Sequence, residues 1–116
     1  MLITQTQLAA LSEHAKHEFE EDLTRQLMER HPWRRFEGIA EALRFVHDET
    51  QRAVAHRITA KPSIENYVTA SWLLGASVDT HGAEIHAIVS DLELAQHHRS
   101  LKALDYAHQH RGAPHE

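Results

Sequence analysis

The chain of 116 residues contains no cysteine. That excludes disulfides, thiolate nucleophiles and cysteine-ligated zinc, and it suits a reducing compartment. Glycine and proline are scarce, four and three residues respectively, and no alternating strand pattern occurs, so helices are expected throughout. No window reaches the ~20 apolar residues needed to cross a bilayer. The opening Met1-Leu2-Ile3-Thr4 lacks the basic flank and apolar core of a secretory leader, so a cytoplasmic location is expected, with no membrane partner. Positive charge is also short, with 12 Lys and Arg against 17 Asp and Glu. A mildly acidic chain is poorly placed to release counterions from phosphates, so no nucleic-acid partner is expected. The one basic cluster, Arg30-His31 with Arg34-Arg35 around Trp33, reads as a turn between helices whose aromatic residues close the core.

What the chain does have is helical periodicity and a hydrophobic content of 41%, enough for a single domain over residues 1–116 that buries roughly two-thirds of its unfolded surface. Thr4 and Gln7 have capping-box spacing, and Leu8, Leu11, Ala15, Phe19, Leu23 and Leu27 follow at three- and four-residue steps. The spacing predicts a first helix of about six turns, ended by His31-Pro32. A second helix, from about Arg35 to His56, carries Phe36, Ile39, Leu43, Val46, Thr50 and Val54 on one stripe, with Asp48 and Arg52 as an i,i+4 pair. Thr59 reads as the N-cap of a third helix and Gly75 as its left-handed C-cap. A fourth helix runs from about Gly82 to His97. Arg99-Ser100 breaks the register before a short fifth helix, and the tail 111–116 should fray. The fold class is therefore all-α, a compact bundle of four or five helices.

Twelve histidines invite a metal reading, since imidazole is the commonest metal ligand. His14, His17 and Glu21 share one face of the first helix and have the composition of a two-histidine, one-carboxylate set. They sit opposite the apolar stripe, however, and the chain contains neither a Glu-x-x-His pair nor a His-Glu-x-x-His signature. No metal site and no cofactor are expected. His47 falls within the apolar stripe of the second helix and reads as a buried, hydrogen-bonded core histidine. No Gly-x-Ser-x-Gly elbow and no phosphate-cradling glycine loop occur, so no catalytic residues are assigned and an enzyme is not expected.

Phe45, Leu73, Leu94 and Tyr106 fall off the stripes of their helices and could form one exposed patch, which would mark a protein-interaction surface; burial on both faces is an equal reading for the third helix. Phe45, Leu73 and Tyr106 are the expected partner-binding residues.

From Ile58 to Ile88 the order of signals is distinctive: Ile58-Thr59, Ile64, Tyr67-Val68, Leu74-Gly75, Val78-Asp79-Thr80, then Ala87-Ile88. It resembles a family of small helical accessory proteins encoded beside spike and effector genes in bacterial type VI secretion loci, and Gln7 to Leu11, Phe19 and Leu27 extend the likeness. Members typically carry an aspartate-proline pair after the glycine-capped turn and a tryptophan before the alanine; here His81-Gly82 and His86 occupy those places. The resemblance implies a helical adaptor or chaperone that loads or masks a secretion spike or effector. An immunity protein that binds and blocks a toxin fits the same setting. A histidine-rich metal-binding protein and a small transcriptional regulator are the readings from other classes.

Overall fold

A computed structural model describes residues 12–32 and 36–110. Five α-helices appear among the described residues: α1 Glu13–Arg30, α2 Ile39–Ala55, α3 Lys61–Leu74, α4 Ala83–Ser90 and α5 Gln96–His110, with a single 3-10 turn at Val78–Thr80 before α4. They form the expected all-α bundle. None of these helices is long and apolar enough to cross a membrane.

The centre of the bundle is α3. Ser63, Ile64, Tyr67, Val68, Ala70, Ser71, Trp72 and Leu73 are all buried, which is the pattern of a helix covered on nearly every side and not of one with a single apolar stripe. It packs chiefly on α5, then on α2. The alanines Ala103 and Ala107 of α5 are fully buried, and side chains that small let two helix axes approach closely. Leu73 is therefore a core residue, 3% exposed, which corrects its assignment to an outward face.

The helix ends show where local chemistry competes with periodicity. Ser12 is extended (ψ 165°) and its hydroxyl accepts from the Ala15 N–H, so α1 begins there and is not one continuous run from Thr4; the Thr4 and Gln7 signals lie outside the described residues. His31, before Pro32, leaves the helical region as expected. At the end of α2, Arg57 adopts the left-handed conformation (φ 66°), while the Ile58 N–H reaches the Ala53 carbonyl at 2.9 Å and the Arg57 N–H reaches Val54 at 2.8 Å. This is a six-to-one C-terminal closure with a non-glycine residue in the glycine position. Gly75 (φ 74°) ends α3 the same way and matches its sequence reading.

Two expected boundaries move. Ala60, not Thr59, stands at the N-cap of α3, and it has no capping side chain of its own. Instead the Gln96 side-chain oxygen, from the start of α5, accepts from the N–H groups of Thr59 (2.7 Å) and Ala60 (2.8 Å). The break after α4 falls at residues 91–95, where the Asp91 carboxylate accepts from the Glu93 N–H at 3.0 Å, and α5 runs straight through Arg99 and Ser100. Arg99 is 3% exposed. Its guanidinium donates to the carbonyls of His56 (2.7 Å), Val89 (2.8 Å) and Leu94 (3.0 Å), so it joins the end of α2, the end of α4 and the turn before α5.

Two outcomes follow for stability. Arg99→Met keeps the stem volume but strips three buried carbonyls of their donor; we expect a loss of about 3 kcal/mol or more in urea denaturation. Arg57→Gly removes the cost of a Cβ in the left-handed region and should raise stability by up to about 1 kcal/mol, seen as an upward shift in the thermal midpoint.

Candidate functional site

The expected interaction residues do not form one exposed patch. Leu73 lies in the core, as above. Phe45 is half-buried in a three-ring cluster, 5.5 Å from Phe36 and 6.1 Å from Trp72 between ring centroids, and the Trp72 indole N–H is tied to the His31 carbonyl at 2.6 Å. Tyr106 is part-buried: its ring stacks on His110 at 4.0 Å and its hydroxyl meets His81 Nδ1 at 2.8 Å. These contacts occupy Phe45 and Tyr106 inside the chain. Leu94 is half-buried in the turn before α5.

The histidines are similarly dispersed. His14 pairs with Glu18 (3.5 Å) and His17 with Glu21 (3.1 Å), so His14 and His17 turn to different carboxylates. His86 Nδ1 meets the Asp79 carbonyl and His97 Nδ1 the Ser63 hydroxyl. Among the described residues no three His, Asp or Glu side chains group as a metal site.

The densest polar constellation is one that helical spacing did not reveal. Glu49, 3% exposed, accepts from the hydroxyls of Ser71 (2.9 Å) and Ser77 (2.6 Å), and the Ser71 oxygen in turn accepts from the Val78 N–H at 2.9 Å. Asp79, 6% exposed, takes Arg52 Nε at 3.1 Å and His56 Nε2 at 3.0 Å. Arg52 thus pairs across the fold with Asp79, and the expected Asp48 partnership gives way to a better-shielded carboxylate. Burial pushes the Glu49 carboxyl up despite its two serine donors. Burial acts the same way on Asp79, but hydrogen bonds from His56 and Arg52 outweigh it and hold that carboxyl below the usual range. The buried Tyr67 phenol is pushed up by desolvation and by the Asp79 and Glu49 charges, and its hydroxyl has no partner in hydrogen-bond geometry.

Chemically this cluster is a latch. A His–Asp pair can orient an imidazole for proton transfer, and covalent catalysis would further need a nucleophile within reach of that imidazole. Ser71 and Ser77 donate to Glu49 instead. The cluster fixes the segment from Gly75 to Gly82 against α2, and a sequence clue existed only in hindsight: Glu49, Arg52 and His56 recur at helical steps on a face where Thr50 and Val54 advertised the core.

A second feature opens to solvent, between α1 and α2. Two adjoining hollows of about 260 and 320 Å³ share Ala40 and Leu43. Ile39 lines the first together with Thr24, and is 54% exposed; His17, Arg44 and His47 border the second. Glu20 is nearly buried, with both carboxylate oxygens 2.9 and 3.1 Å from His47 Nδ1, while the His47 side chain is 52% exposed. His47 is therefore a groove-wall residue and not a core histidine. The stripe reading failed because Glu20 reaches the boundary of the core and draws the imidazole outward. Thr24 satisfies its own hydroxyl by donating to the Glu20 carbonyl at 2.7 Å. Of the large apolar side chains, Ile39, Leu92 and Leu101 are the exposed ones among the described residues, and Ile39 lines a concavity.

No protein-family model, curated protein or solved structure matches the chain. What the residues define is an all-α bundle carrying a buried polar latch and a surface groove between its first two helices.

The latch has a testable pH signature. Because the Asp79 carboxyl is lowered on folding, its contribution to stability is present above the unfolded value of about 4 and is lost as pH falls through the still lower folded value. Glu49, raised on folding, acts with the opposite sign and gains on protonation. Asp79→Asn should therefore lower stability at neutral pH and flatten the loss below about pH 4 in urea titrations. An unaltered acid limb in the variant would place the loss elsewhere.

Proposed function

We propose that this protein works by binding another protein, as an adaptor or chaperone for a type VI secretion spike or effector. The exposed Ile39 beside the α1–α2 groove carries the binding half of this reading. Solvent-facing apolar surface next to a concavity is a feature that folding alone does not require, and a few residues buried at the centre of a contact supply most interface energy. The secretion setting rests on the ordered signals from Ile58 to Ile88. The Ser71 and Ser77 hydroxyls of the latch are committed to the Glu49 carboxylate, which fits a structural role for that cluster.

The test is co-expression of the chain with the spike and effector proteins encoded beside it, followed by co-purification. We expect one of them to be retained and Ile39→Asp to abolish retention. Because Ile39 is exposed, that variant should stay within about 0.5 kcal/mol of the parent in stability. Retention that ignores Ile39 would move the interface off the groove, and no retention of any neighbour would remove the proposed setting.

A further inference from the structure

The groove's polar inventory says what kind of partner it fits. The carboxylates lining the two hollows are already engaged: Glu20 by His47, and Glu21 by His17 at 3.1 Å and by Arg25 at 4.0 Å. Thr24 is satisfied by a backbone carbonyl. Arg44 lines the second hollow, is exposed, and makes no ion pair among the described residues. The His47 ring has spent Nδ1 on Glu20, which leaves Nε2 as its open nitrogen. Glu37 and Glu41 share a neighbouring hollow with Ala40 and Arg44, with Glu41 turned back onto the Glu37 N–H at 2.7 Å and neither carboxylate in an ion pair with Arg44 among the described residues. The groove therefore offers apolar contact from Ile39 and Leu43 and an unneutralised cation one position beyond Leu43.

We infer that the α1–α2 groove receives an amphipathic helix of the partner that presents apolar side chains about one turn apart and a carboxylate one turn beyond them. The apolar pair sits on Ile39 and Leu43, which are themselves one helical turn apart, and the carboxylate meets Arg44. A third helix laid along two packed helices is the common way such a groove is filled. This inference rests on the protein-binding reading above and adds the chemistry of the occupant. A neutral or basic helix would gain the apolar contact but leave Arg44 without a counter-charge or bring a like charge to it.

The test uses two synthetic amphipathic helices of about 18 residues that are identical except at the position one turn beyond the apolar pair, Glu in one and Lys in the other. Binding is followed by fluorescence anisotropy at low salt. We expect the Glu helix to bind about fivefold tighter than the Lys helix, a margin ordinary for one partly exposed ion pair against a like-charge contact. Arg44→Glu should invert that order, and Ile39→Asp should weaken both helices about tenfold or more. An order that Arg44→Glu leaves unchanged, a native preference for Lys, or no binding of either helix would each overturn the inference. Where neither helix binds but a co-expressed neighbour is still held through Ile39, the acidic-helix inference falls and the interaction reading stands. A second copy is the remaining occupant, because the outer face of α5 exposes Leu101 with Asp105 one turn on. Self-association in sedimentation that is lost in both Ile39→Asp and Leu101→Glu would assign the groove to that contact and overturn the proposal.

Discussion

The Arg99 guanidinium is the joint on which this bundle closes. Three elements, the end of α2, the end of α4 and the turn before α5, finish with carbonyls that need donors, and one planar five-donor group supplies all three. Among the described residues no carboxylate pairs with it; burial lowers its pKa, and the Asp91 charge opposes that shift. Helix C-termini concentrate partial negative charge, so converging two of them on one cation offsets much of the cost of burying it. Lysine could not substitute, because a single ammonium on a flexible stem does not present donors in three fixed directions. Gln96, one turn earlier, performs the complementary job at the positive end of α3 by accepting from two backbone N–H groups. The first turn of α5 is thus the fastening element for the other chain reversals.

The Glu49 and Asp79 cluster holds a different part of the chain by a different compromise. Burial disfavours the charge on both carboxylates, and their partners decide the outcome: burial pushes the Glu49 carboxyl up despite its serine donors, while hydrogen bonds from His56 and Arg52 outweigh burial and hold Asp79 ionised. Such groups often add little net stability compared with well-packed apolar side chains. What they add is direction, because hydroxyl and guanidinium donors accept only a narrow range of positions for the loop that carries Ser77 and Asp79. The aromatic trio of Phe36, Phe45 and Trp72 packs beside the start of α2, and the Trp72 indole N–H ties it to the His31 carbonyl at the end of α1.

How much of this was legible depended on the range of the interaction. The number and order of helices, the stop at His31-Pro32 and the left-handed Gly75 are decided by neighbours within a turn, and they could be read. The N-cap at Ala60 could not, because its partner Gln96 lies 36 residues away. Arg99 and Ser100 looked like a break because polar residues in a helical run usually face water; here the arginine's donors are consumed by carbonyls brought in from α2 and α4. For Leu73 the pattern fits an outward face and a helix buried on both sides equally, and packing on α5 and α2 decides for burial; Phe45 looked exposed because periodicity does not show the rings of Phe36 and Trp72 that meet it. His47 was misplaced by a single near-buried carboxylate on a neighbouring helix. The groove itself depends on how α1 and α2 diverge, which no local pattern encodes.

The burial of α3 on nearly all sides also sets the order in which the chain can become a protein. Its partners lie on both sides of it in sequence, with α2 before it and α5 after it, and its largest interface is with the later one. During synthesis α3 therefore emerges with much of its apolar surface still uncovered, and it stays so until α5 has left the ribosome. Native closure is thus a late event that waits for α5, and until then Tyr67, Val68 and Leu73 are the surface that a nascent-chain chaperone would meet.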